Sequence, residues 1–224
     1  MSEPDENRIA GGFAPGDFEL LGRLESAEEE LAGGVQERAD ELWERAERLI
    51  GELGAALFGE GNQVAALWPD GGDGDRGPFL WARIKRAGNE RFATHLGAFL
   101  SPGSCNLSID LEKDPLDAGE SAERLEQVLD FYPDGLVSSL RPPLRPDLVV
   151  WTDPDNVVAA ADFAAVDFDR FMAANADTGH PWPKVGYLLS AADVEELGEG
   201  WVEGCRARLA PLVPVYDAMI RSYG

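Results

Sequence analysis

Lysine is almost missing from this chain: only Lys85, Lys113 and Lys184 occur, and every other base is an arginine. Histidine and cysteine are equally scarce, with two residues of each. Cys105 and Cys205 lie far apart and share no metal-ligand spacing with His95 or His180, which excludes zinc-finger and multi-cysteine cluster chemistry. Both thiols are expected to be buried or half-buried and free. No apolar run approaches the roughly 18 residues that span a bilayer, so a helical membrane protein is excluded and no membrane partner is expected. The opening stretch MSEPDENRIAGGFAPGD has no basic segment followed by an apolar one, and a signal peptide is not expected. Nucleophile-elbow serines, phosphate-binding glycine loops and dinucleotide fingerprints are also missing.

What is present in excess is acid. Forty-two Asp and Glu stand against 19 Lys and Arg in 224 residues, a formal charge of −23. The acids run along the whole length instead of forming a tail, which points to the solvent more than to one basic partner. At about 1 M salt the Debye length falls to roughly 3 Å, so surface self-repulsion is screened while hydrated carboxylates keep the molecule in solution. In this pairing of scattered acid with few lysines the chain resembles haloarchaeal cytosolic proteins, and that resemblance implies a soluble protein of the cytoplasm. With 44% hydrophobic residues and aromatics throughout, it is long enough to bury a sizeable core.

The periodicity changes along the chain. Residues 1–16 are rich in Gly, Pro and acid and are expected to be a mobile arm, with 17–224 forming one α+β domain. Asp17 is expected to cap a helix over FELLGRLESAEEELA that ends at Gly33 and Gly34. Val35, Ala39, Leu42, Trp43, Ala46, Leu49, Ile50, Leu53 and Leu57 then make one apolar stripe, which predicts a long helix packed on one side. From Asn62 onward short apolar segments are separated by DGGDGDRG, AGN and SPGS, and they predict an antiparallel β-meander of three or four strands. A helix over AGESAERLEQVLDF, a strand at 148–152, a short helix over DFDRFMAAN and a strand over KVGYLLS follow. Ser190 is placed to cap a helix over AADVEELGEGWVEGCRARLA, and Pro211 and Pro214 to break or kink it. The expected fold is therefore α+β, with the meander plus one or two further strands packed against the long N-terminal helix and the C-terminal helices.

Acid-rich stretches suggest metal loops and fail on spacing. In DLEKDPLDAGES, Asp110, Glu112 and Asp114 fill the first ligand positions of an EF-hand-like loop, but Pro115 stands where glycine is needed and Ser121 closes it. GGDGDR lacks both the final aspartate and the repeats of a calcium turn. Asp110 to Lys113 follows a strand, as in metal-dependent nucleases, yet Glu112 and Lys113 are adjacent and would point to opposite faces of a strand.

The most distinctive stretch is basic. RGPFLWARIKRAGNERFATH gathers Arg76, Arg83, Lys85, Arg86 and Arg91 against Glu90 alone. A period of two puts Leu80, Ala82 and Ile84 on one face and Trp81, Arg83 and Lys85 on the other. The next strand sets Phe92, Thr94, Leu96, Ala98 and Leu100 opposite Arg91, Ala93, His95 and Gly97. The third sets Cys105, Leu107 and Ile109 opposite Asn106, Ser108 and Asp110. The three reverse faces are expected to form a wet, positive island on a negative molecule, with planar guanidinium donors, an aromatic ring and an imidazole.

The order of a long helix, VAALWP, GPFLWARI, HLGAFLS and NLSID resembles the N-terminal domain of McrB-type modification-dependent restriction proteins, across the middle third of the chain. That resemblance transfers no residue role. The function expected from the residues themselves is a non-enzymatic binding module. It would present Arg83, Lys85, Arg91 and His95, with Trp81 for stacking, to an anionic small molecule or nucleic acid, and it would need no cofactor. The alternatives are a metal-assisted hydrolase or nuclease using Asp110 and Glu112 with Lys113 and His95, or a structural protein whose partner meets the helix bearing Trp201.

Overall fold

In the computed structural model residues 11–26, 33–69, 78–111, 135, 139, 145–153, 156–163, 170–171 and 182–223 are described. Two helices, α1 (Pro15–Ser26) and α2 (Gly33–Phe58), lead into the meander β1 (Gln63–Pro69), β2 (Leu80–Arg86), β3 (Thr94–Ser101) and β4 (Ser104–Leu111). Strands β5 (Val149–Asp153), β6 (Asn156–Ala159) and β7 (Lys184–Ser190) complete the sheet. Helices α3 (Ala191–Leu197), α4 (Trp201–Leu209) and α5 (Val213–Ser222) follow.

The sheet has seven strands in the order β1-β2-β3-β4-β7-β5-β6, and every neighbouring pair is antiparallel. The protein is thus α+β, a meander extended on one side by three later strands. Side-chain parity holds across it: Ala65, Ile84, Leu96, Ile109, Val185 and Val150 stand opposite one another and point to one face.

Helices close that face. The stripe of α2 is buried from Ala39 through Leu53, as its spacing requires. At Gly54 the helix comes so near the sheet that a Cβ would lie 3.0 Å from the Gln63 side chain and 3.3 Å from Ile84. Helix α5 is pinned by two phenols. The Tyr216 hydroxyl accepts from the Arg86 N–H at 3.2 Å, and that of Tyr223 accepts from the Thr94 N–H at 3.2 Å. Cys105 and Cys205 are both buried and free, and burial pushes the Cys105 thiol up to about 12, which leaves it inert.

Several local expectations shift. Phe13, assigned to the mobile arm, is buried edge-on against Trp201 at 5.1 Å between ring centroids. Asp17 lies inside the first turn of α1, where it accepts from the Ala14 N–H at 2.7 Å and pairs with Arg45. The helix expected to run unbroken from Ser190 is cut at Gly198, whose φ of 47° suits a residue without a side chain. Its start is as expected, a reciprocal capping box between Ser190 and Asp193. The proline break also falls where expected: α4 ends at Leu209, and a short 3-10 turn at Ala210–Leu212 leads into α5. Strand β6, which the sequence reading lacks, pairs with β5 through an irregularity between Trp151 and Asp153. The expected helices over 118–131 and 167–175, and the turn over 70–77, fall wholly or mostly outside the described residues.

Candidate functional site

The second face of the sheet is built in three rows. Trp81, Phe99, Asn106 and Leu188 stand opposite one another at one end. The middle row is Ala66, Arg83, Gly97, Ser108, Gly186 and Val149. Beyond it His95 pairs with Asp110, Lys85 with Val64, and Lys184 with Trp151. Alternation therefore brings Trp81, Arg83, Lys85, His95, Ser108 and Asp110 together. They are not on a wet face. Exposure is 6% for Lys85, 0% for His95 and 5% for Asp110, rising along the face to 40% at Leu188. The face is closed at the His95 end and opens toward the row of Trp81, Phe99, Asn106 and Leu188.

A buried carboxylate must be paired, and Asp110 is. Its Oδ1 accepts from the Leu111 N–H and from Trp182 Nε1–H, both at 2.8 Å, and its Oδ2 lies 2.9 Å from Lys184 Nζ. Burial alone would raise the carboxyl, but Lys184, His95 and Trp182 outweigh it and hold Asp110 below its ordinary range.

His95 is the unfinished member. Its Nδ1 lies 3.2 Å from the Ala93 carbonyl oxygen, which can only accept, so the proton of the neutral ring sits on Nδ1. Burial pushes the imidazole down to about 4, with Lys85 and Arg83 adding to the shift and Asp110 and the Ala93 carbonyl opposing it. The ring is neutral at ordinary pH, and Nε2 is an acceptor. That buried nitrogen has no partner among the described residues. An orphaned buried polar atom of this kind costs about 1–3 kcal/mol.

Nε2 lies beside Gly97. A Cβ built there would lie 3.6 Å from both Nε2 and Cδ2 of the ring and 3.5 Å from the Ala82 carbonyl oxygen, ordinary contact distances. Arg83 stands opposite Gly97 on β2 and Ser108 opposite it on β4. Two strand spacings, about 10 Å, separate the Arg83 and Ser108 backbones. The Arg83 guanidinium lies 5.9 Å from the Trp81 ring centroid, and Trp81 tilts toward His95 at 5.9 Å. Burial holds Arg83 below its ordinary value, as expected of a cation away from bulk water.

The other expected site residues have different surroundings. Lys85 points away from Gly97 and donates to the Glu90 and Phe92 carbonyls at 3.0 and 2.7 Å, tying down the β2–β3 turn. Burial, then Arg83, lowers it to about 8, with Glu90 opposing. Arg91 precedes β3 instead of lying on it; it is exposed, with its guanidinium 4.9 Å from the Phe92 ring. Glu112, Lys113 and His180 lie outside the described residues. Asp110, the acid proposed for a metal, has both oxygens committed to protein donors, and among the described residues no cluster of three His, Cys, Asp or Glu could hold an ion. Trp201 is fully buried beside Phe13 and so offers no exposed patch.

Lys184 and Trp182 are the site residues that sequence reasoning missed. They lie more than 70 positions from Asp110, and only the β4–β7 pairing brings them to it. No family model matches the chain, and no curated protein matches it significantly.

Proposed function

We propose that this is a non-enzymatic binding protein for an anionic ligand, working in the cytoplasm of a salt-accumulating cell. The observation that carries the reading is the buried, unpartnered Nε2 of His95, beside Gly97, with Arg83 and Ser108 on the strands to either side. A polar atom left unsatisfied in a buried site is an expense that a bound ligand removes. Arg83 supplies the charge and planar N–H donors, and Ser108 supplies a hydroxyl. Trp81 stands half-buried on the open side, and the Asp110–Lys184–Trp182 network lies across from His95.

Isothermal titration with inorganic phosphate tests this. Binding is expected in the native protein and is expected to disappear in Gly97→Ala, whose added methyl would stand 3.6 Å from Nε2 while making only ordinary contacts. Equal affinity in both proteins would refute the site. The salt-adapted setting is supported by the charge of −23 and the three lysines. It predicts that thermal stability falls as KCl is lowered from about 1 M to about 0.1 M, because the Debye length grows from roughly 3 to roughly 10 Å. An unchanged midpoint would speak for an ordinary acidic protein.

A further inference from the structure

The state of His95 says which anion. With Nδ1–H committed to the Ala93 carbonyl, Nε2, beside Gly97, has a lone pair to offer and no hydrogen. A fully deprotonated oxyanion would set its own lone pair against this one. An oxyanion that keeps a hydroxyl turns the same contact into an O–H···N hydrogen bond, while its remaining oxygens accept from Arg83 and Ser108. We infer that the site selects hydrogen-bearing oxyanions of the phosphate class, with inorganic hydrogenphosphate the species that fits best, over sulfate, chloride and phosphodiesters. This rests on the anion-binding reading above and narrows it.

The chemistry separates ligands of similar shape. Hydrogenphosphate keeps a P–OH throughout the neutral range, whereas sulfate has none there. A phosphate monoester loses its last hydroxyl near pH 6, and a phosphodiester has no ionisable hydroxyl left to give. A nucleic-acid backbone, being a diester, therefore meets Nε2 with nothing to donate.

The test is a set of titrations at neutral pH with potassium phosphate, potassium sulfate, methyl phosphate and dimethyl phosphate, at fixed ionic strength with chloride as the background anion. Phosphate is expected to bind at least about tenfold more tightly than sulfate, since a hydrogen bond to a charged partner is lost with sulfate. Dimethyl phosphate is expected not to bind, and methyl phosphate to gain affinity as pH is lowered toward 6. In His95→Phe the preference for phosphate over sulfate is expected to vanish. Should that variant not fold, the comparison of anions in the native protein decides by itself. Equal affinity for phosphate and sulfate would overturn this inference and leave the anion-binding reading standing. Failure of every anion, or binding that survives Gly97→Ala, would overturn both.

Discussion

The two faces of this sheet are buried by opposite means. On one, Ile84, Leu96, Ile109 and Val185 meet the helices α2, α4 and α5, and burial of apolar surface is the driving force. On the other, one residue along each strand, Lys85 and His95 are buried against backbone carbonyls, and buried Asp110 is paired with half-buried Lys184. The first face tolerates adjustment because dispersion is non-directional. The second depends on pairing, since a buried charge that loses its partner cannot recover it from water.

That contrast can be broken most sharply at Lys184. Replacing it in Lys184→Met leaves Asp110 buried and unpaired, with a loss of about 3–5 kcal/mol in denaturant unfolding. Adding Asp110→Leu is expected to restore most of the loss. A single variant that unfolds like the native protein would show that the polar face is solvated after all. On the apolar face Leu96→Ala should cost about 2–5 kcal/mol, yet no second substitution of charge would repair it.

Next in size is a pH effect. The folded-state value of His95 is about 4, against an ordinary 6.5. Between those values the unfolded chain binds a proton that the fold refuses, so the histidine makes stability fall as pH drops from about 6.5 to about 4, by roughly 3 kcal/mol, and its contribution is constant above about 6.5. Asp110 on β4 and Lys85 and Arg83 on β2 act on the ring, and Lys85, lowered to about 8, and Asp110, held below its ordinary value, titrate outside that window. The difference between native protein and His95→Gln isolates the histidine, and parallel pH curves for the two would contradict its buried, neutral state.

Gly97→Ala should change stability by no more than about 1 kcal/mol, because its methyl fits and a non-glycine residue stiffens the unfolded chain. Thermal unfolding checks this, and a large loss would mean that the space is already filled. The smallest effect belongs to the exposed pair of Arg206 and Glu203, 2.6 Å apart on α4. Arg206→Gln is expected to cost well under 1 kcal/mol, and less at high salt.

Much of the fold was legible because it rests on local rules. The stripe from Val35 to Leu57 dictates α2, the turn chemistry at AGN and SPGS dictates the meander, and Ser190 with Asp193 dictates the start of α3. Parity alone put Trp81, Arg83, His95 and Asp110 on one face. What parity could not supply was burial. A polar set opposite an apolar one reads as the wet side of an antiparallel sheet, and nothing local marks Lys184 and Trp182 as partners of Asp110. The insertion of β7 between β4 and β5 is a long-range event, and Gly97 acquires meaning only when Arg83 and Ser108 are seen on either side of it. The apolar β6, four residues long, carries too little pattern to be recognised alone.

The central claim is that His95 is buried, neutral and protonated on Nδ1, with Nε2 left open to a ligand. Long-range proton–nitrogen correlation spectra of the imidazole rings test it directly, since the chain has only two histidines to assign. At neutral pH the His95 Nε2 should resonate as an unprotonated nitrogen, insensitive to pH down to about 4, and should shift on addition of phosphate but not of sulfate. A His95 signal that titrates at an ordinary histidine value, or an Nε2 that already carries the proton, would contradict it.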